Sequence, residues 1–89
     1  MVAVKNQGKA YPFGYSQYEE NGEQITNFTL YSSVADAVEL CLFENGKKEQ
    51  RFAMHRSENV WHIALSGVAN GVQYGFRITT ENDRKQAHA

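Results

Sequence analysis

The chain has 89 residues and a formal net charge of −1, from nine basic and ten acidic side chains. That length allows one small domain with a single core, and the scattered charges leave no extended positive face for nucleic acid or anionic lipid. With 42% hydrophobic residues, five Phe, five Tyr and one Trp, the composition is that of a folded domain.

Cys41 is the only cysteine, which excludes an internal disulfide framework and a cysteine-based zinc site. It is read as a reduced, buried thiol. The start, Met1 to Asn6, lacks the apolar core and cleavage site of a secretory signal, and no apolar run approaches the roughly 20 residues of a membrane span. A soluble intracellular chain without membrane contact is expected, with residues 1–8 as an N-terminal tail.

From Lys9 to Tyr18 the segment carries Tyr11, Phe13, Tyr15 and Tyr18. Pro12 fixes its own backbone and pushes Tyr11 towards extended geometry. A short edge strand and a loop are predicted, followed by a turn at Asn21-Gly22, where positive backbone angles are favoured.

Ile25 to Ser32 alternates Thr26, Phe28 and Leu30 on one face with Ile25, Asn27, Thr29 and Tyr31 on the other, the period of a half-buried strand. Ser33 to Asp36 turns the chain, and Ala37 to Phe43 puts Val38, Leu40 and Leu42 inward, with Glu39, Cys41 and Phe43 opposite. Asn45-Gly46 signals a hairpin into Lys48 to Met54, with Phe52 and Met54 inward.

His55 to Asn59 is a polar connection to Val60–Leu65, where Trp61, Ile63 and Leu65 share a face. The last strand, Val72 to Thr79, places Tyr74, Phe76 and Ile78 inward. Frequent turns and no helical periodicity of useful length argue for a small antiparallel β-sandwich over residues 9–79, with 80–89 as a polar C-terminal tail.

The order Tyr11-Pro12-Phe13-Gly14, Asn27-Phe28-Thr29-Leu30-Tyr31-Ser32, Val38-Glu39-Leu40-Cys41-Leu42-Phe43, Val60-Trp61-His62 and Tyr74-Gly75-Phe76-Arg77 resembles the N-terminal domain of glycogen debranching enzymes and isoamylases. The resemblance implies an all-β, immunoglobulin-like (early-set) sandwich related to carbohydrate-binding module family 48. In the resembled enzymes this domain precedes a catalytic (β/α)₈ barrel of the α-amylase superfamily, a glycoside hydrolase acting on α-1,6 branches. Such a barrel needs roughly 250 residues, more than this chain holds. After Ile78 the sequence departs from the Gly-Pro-containing linker usual in that family.

The resemblance implies a non-catalytic accessory role, supporting the catalytic barrel and orienting glycogen, starch or malto-oligosaccharide. The alternative is a stand-alone glycogen- or starch-binding module. A cytoplasmic location is expected, or a plastid were the parent from a plant or alga. No cofactor is expected.

Candidate sites follow from residue chemistry. Glycoside hydrolysis by the usual route requires two carboxylates held about 5 to 10 Å apart in a cleft. Glu19, Glu20 and Glu39 read instead as solvated surface. Cys41 with His55 or His62 lacks the exposed setting of a thiolate nucleophile, and the two histidines lack a third metal ligand at recognisable spacing. No catalytic or metal residue is assigned.

Sugar binding calls for an aromatic platform flanked by a few polar groups. Trp61, Tyr11, Tyr15 and Tyr18 are the candidates, although Trp61 reads as core packing before sugar stacking. Phe13 and Arg77 are candidates for contact with a second domain.

Overall fold

The computed structural model describes residues 2–44 and 48–80. Among these described residues eight strands follow one another: β1 (Ala3–Asn6), β2 (Gly14–Glu20), β3 (Glu23–Tyr31), β4 (Ala37–Phe43), β5 (Gln50–Ala53), β6 (His55–Ser57), β7 (Val60–Ser66) and β8 (Gln73–Thr79). Among the described residues there is no helix, and so none long and apolar enough to cross a membrane.

The strands form two antiparallel sheets. One runs β1-β7-β3-β2, with β6 also pairing β7, and the other runs β5-β4-β8. β6 lies against Val60–His62 and β1 against Ala64–Ser66, so each covers half of one edge of β7 while β3 pairs along the other edge. Phe28, Val38, Leu40, Leu42, Trp61, Ile63 and Leu65 are buried between the sheets. Each contributes about 1.5–3 kcal/mol by leaving water. This is the expected antiparallel sandwich.

Alternation sets the register. Phe28 stands opposite Ile63, Leu30 opposite Trp61, and Leu40 opposite Phe76, so the apolar residues of neighbouring strands share one face. At the β2–β3 turn, Asn21 (φ 53°) and Gly22 (φ 80°) join Glu20 to its partner Glu23, a two-residue hairpin that needs both positive angles. The expected Asn45-Gly46 turn and most of the polar C-terminal segment lie outside the described residues.

Four features differ from the sequence expectation. Ala3–Asn6, read as tail, pairs with β7. His55–Ser57, read as connection, forms β6; its residues are all exposed, so no apolar alternation marks it and only the ladder to β7 defines it. β3 is not half-buried: Ile25, Asn27 and Thr29 on its outer face are as enclosed as Phe28. At Asn27 and Thr29 the cause is the chain following β1, which crosses that face.

At the crossing, Asn27 accepts a hydrogen bond from the Lys9 N–H (2.7 Å) and donates to the Lys9 carbonyl (3.1 Å), and Thr29 donates to the same carbonyl (2.9 Å). Such bonds satisfy polar groups that would otherwise be costly to bury. The fourth difference is in β8, where Tyr74 and Ile78 stay 38% and 43% exposed although their register faces inward. β8 is an edge strand, and the opposing sheet does not extend over it fully.

Candidate functional site

β2 and β8 are edge strands of different sheets, and their side chains meet along one open seam. Tyr15 is opposite Phe28 in register and therefore projects from the core side of β2. Its ring centroid lies 6.4 Å from Phe28 and 5.7 Å from Tyr74, while Tyr74 lies 5.1 Å from Phe28. The Tyr15–Tyr74 and Phe28–Tyr74 pairs are edge-to-face, at 70° and 64°, the arrangement favoured by aromatic quadrupoles.

A cleft of about 200 Å³ opens here, lined by Tyr15, Gln17, Thr26, Asn70, Val72 and Tyr74 among others. This is below the roughly 300–1,000 Å³ of drug-sized sites, so the cleft suits one small ring. Its wall combines tyrosine rings with the amides of Gln17 and Asn70. Gln17 is oriented by donating to the Thr26 hydroxyl at 3.4 Å. Across the 69–72 turn lies a second hollow of about 370 Å³, lined by Phe43, Glu44, Asn70 and Gln73 among others.

The four aromatic candidates are not one surface. Tyr15 lines the cleft. Tyr11 is exposed in the loop before β2. Tyr18 belongs to the outer face of β2, where the Lys9 ammonium sits 4.3 Å from its ring centroid and covers that ring face. Trp61 is 5% exposed and packed in the core, with the Arg56 guanidinium 5.6 Å from its ring centroid.

Phe13 is exposed just before β2, whereas Arg77 is exposed on the outer face of the other sheet, opposite Glu39 in register. The cleft residues missed from sequence are Gln17, Asn70 and Tyr74. Tyr74 sits at an inward position of an alternating strand, and its hydroxyl was the signal: a tyrosine tip favours a wet rim over a dry core.

Cys41 and His62 lie on the outer faces of different sheets, separated by the thickness of the sandwich. Burial pushes the Cys41 thiol up from its ordinary value, against the needs of a thiolate nucleophile. A hollow of about 320 Å³ beside it is bordered by Phe43, Arg51, Gly75 and Arg77. His62 is engaged on both nitrogens, by the Gln7 carbonyl and the Ser57 hydroxyl. No cluster of three or more His, Cys, Asp or Glu side chains able to hold a metal occurs among the described residues.

Comparison with known proteins agrees with this architecture. The profile of carbohydrate-binding module 48 (isoamylase N-terminal domain) matches residues 12–89. The chain is 52% identical over 81 residues to the "Glycogen operon protein GlgX homolog" of Haemophilus influenzae, covering 91% of this chain and 12% of that protein. It is 40% identical over 82 residues to the "Glycogen debranching enzyme" of Klebsiella pneumoniae, with the same coverage of 91% and 12%.

A further relative is the GlgX homolog of Mycobacterium tuberculosis, 38% identical over 82 residues, covering 91% of this chain and 11% of that protein. The chain thus spans about one eighth or less of the curated relatives it matches. With its two antiparallel sheets and this match over most of its length, the chain belongs to the carbohydrate-binding module 48 family of immunoglobulin-like isoamylase N-terminal domains.

Proposed function

We propose that this chain is the non-catalytic accessory module of a glycogen- or starch-debranching enzyme that hydrolyses α-1,6 branch linkages. It supports a catalytic barrel domain and helps orient α-glucan on it. The observation that carries this reading is the match itself: 91% of the chain aligns with only 12% of relatives, one of which is named a glycogen debranching enzyme. A length of 89 residues leaves no room for a barrel of roughly 250. The relatives named above are bacterial, which supports a cytoplasmic parent and lends nothing to a plastid one.

The test is to express the full reading frame and assay release of reducing ends from pullulan and glycogen. Activity in the full-length protein and none in the 89-residue module is the expected pattern. A reading frame with no further domain, or hydrolysis by the module alone, removes the proposal.

The alternative is a glucan-binding module acting independently, and the tyrosine-walled cleft is what favours it. Tyr15 and Tyr74 supply the apolar walls, and Gln17 and Asn70 the hydroxyl partners. Tyr11 and Tyr18 remain outlying platforms. Titration with maltoheptaose, followed by NMR shifts of Tyr15 and Tyr74, is expected to saturate. No saturable response up to millimolar sugar removes direct glucan binding from either reading.

A further inference from the structure

We infer that the end of the sandwich where β8 leaves its sheet, marked by Phe13, Tyr31, Val34 and Ile78, is the surface on which the following domain of the same polypeptide docks. This rests on the reading that a catalytic domain follows the module.

The register brings these residues to one end. Tyr31 pairs with Val60 at the last rung of β3 and β7, and Gly14, next to Phe13, pairs with Thr29 beside that end. On the other sheet, Ile78 pairs with Val38 and Thr79 with Ala37, the rung at which β4 begins. The 32–36 loop spans the two sheets here and carries Val34. All four side chains are exposed.

The loop is held from both sides. The Ser32 N–H donates to the Asn59 carbonyl at 2.8 Å, tying it to the first sheet, and the Asp36 N–H donates to the Thr79 carbonyl at 2.7 Å, tying it to the second. Within it, the Ala35 N–H donates to Ser32 Oγ at 3.2 Å, and Ala35 is buried beneath. Val34 is nevertheless 71% exposed. A fixed loop that presents an aliphatic side chain to water has already met the ordering cost of an interface. From Tyr31 to Asp36 the only charged side chain is Asp36, which fits an apolar, weakly charged partner surface.

The position of the remaining chain selects the occupant. The family is an N-terminal domain, and the relatives are about eight times longer than this chain, so in such proteins a large polypeptide continues after β8. It leaves beside Ile78 and the Asp36–Thr79 bond. A domain tethered there by a short connection meets this surface at an effective concentration in the millimolar range.

The test uses the full-length protein carrying Val34→Cys or Ile78→Cys. Phe43→Cys serves as control, because Phe43 pairs with Gln73 at the opposite end of the same sheet and is also exposed. Maleimide labelling, mapped by peptide mass, is expected to be at least tenfold slower at positions 34 and 78 than at 43.

Equal rates in a protein that does carry a following domain overturn the docking surface and leave the accessory-module reading standing. A reading frame without a following domain overturns both. Protection that develops only as the protein is concentrated assigns this end to a second copy and likewise overturns the inference.

Discussion

His62 Nδ1 lies 2.6 Å from the carbonyl oxygen of Gln7, fifty-five positions earlier in the chain. A carbonyl only accepts, so Nδ1 carries the proton and the imidazole donates across the outer face of the sheet. Its Nε2 meets Ser57 Oγ at 2.7 Å, so one side chain links the segment after β1 to β6. Replacing it strips partners from both. His62→Ala is expected to lower stability by about 1–3 kcal/mol, measured by urea unfolding, with β1 amides exchanging faster than those of β4. An unchanged urea midpoint refutes the structural role.

Gly8 sits in the same crossing segment at φ +87°, and a Cβ there would meet the Ile63 backbone at 2.7 Å and Asn27 Oδ1 at 2.8 Å. Backbone cannot swing aside as a side-chain tip can. Gly71 has a similar φ of +84° but open space around it. Both Gly→Ala variants carry the left-handed penalty of about 1–2 kcal/mol, and only Gly8→Ala adds displacement of the crossing segment. Thermal unfolding should show a clearly larger loss for Gly8→Ala; equal losses would mean that the close approach is unimportant.

Trp61 is core, and its indole N–H has no hydrogen-bond partner among the described residues. Trp61→Phe therefore gives up no polar contact of the N–H and is expected to cost less than about 1.5 kcal/mol, apart from the Arg56 cation–π contact. Trp61→Ala opens a cavity and is expected to cost about 3–5 kcal/mol. The fluorescence of native protein should be blue-shifted and poorly quenched by iodide. Ready quenching would place the ring at the surface and reopen its candidacy as a sugar platform.

Cys41 is 6% exposed, and burial is the largest cause of its raised pKa. The folded thiol holds its proton above the ordinary value of 9.0, at which the unfolded thiol releases it. The unfolded state then binds fewer protons, and stability falls as pH rises from about there through the folded pKa. Cys41→Val should flatten that alkaline decline, and native Cys41 should react slowly with thiol reagents until denaturant is added. An identical alkaline profile in the variant would discount the thiol as its source.

Strand positions were largely legible because a half-exposed sheet imposes a period of two. Val38, Leu40 and Leu42 announce their inner face in this way, as do Trp61, Ile63 and Leu65. β6 was not legible, since all three of its residues are exposed and no side chain reports the pairing. The polar run Asn27 and Thr29 read as a solvent face for the same reason: alternation records which side of a strand is polar, not whether another segment covers it.

The sequence by itself determined the all-β class, the order of most strands and the family, because apolar alternation, turn chemistry and ordered motifs are local properties of the chain. The tertiary structure alone decided which aromatics act together. Tyr15 and Tyr74 are distant in sequence and 5.7 Å apart in space, while Tyr15 and Tyr18 are near in sequence and face opposite sides of β2. The physical reason is that a site depends on which strand edges the sandwich leaves open, and that follows from pairings between remote segments.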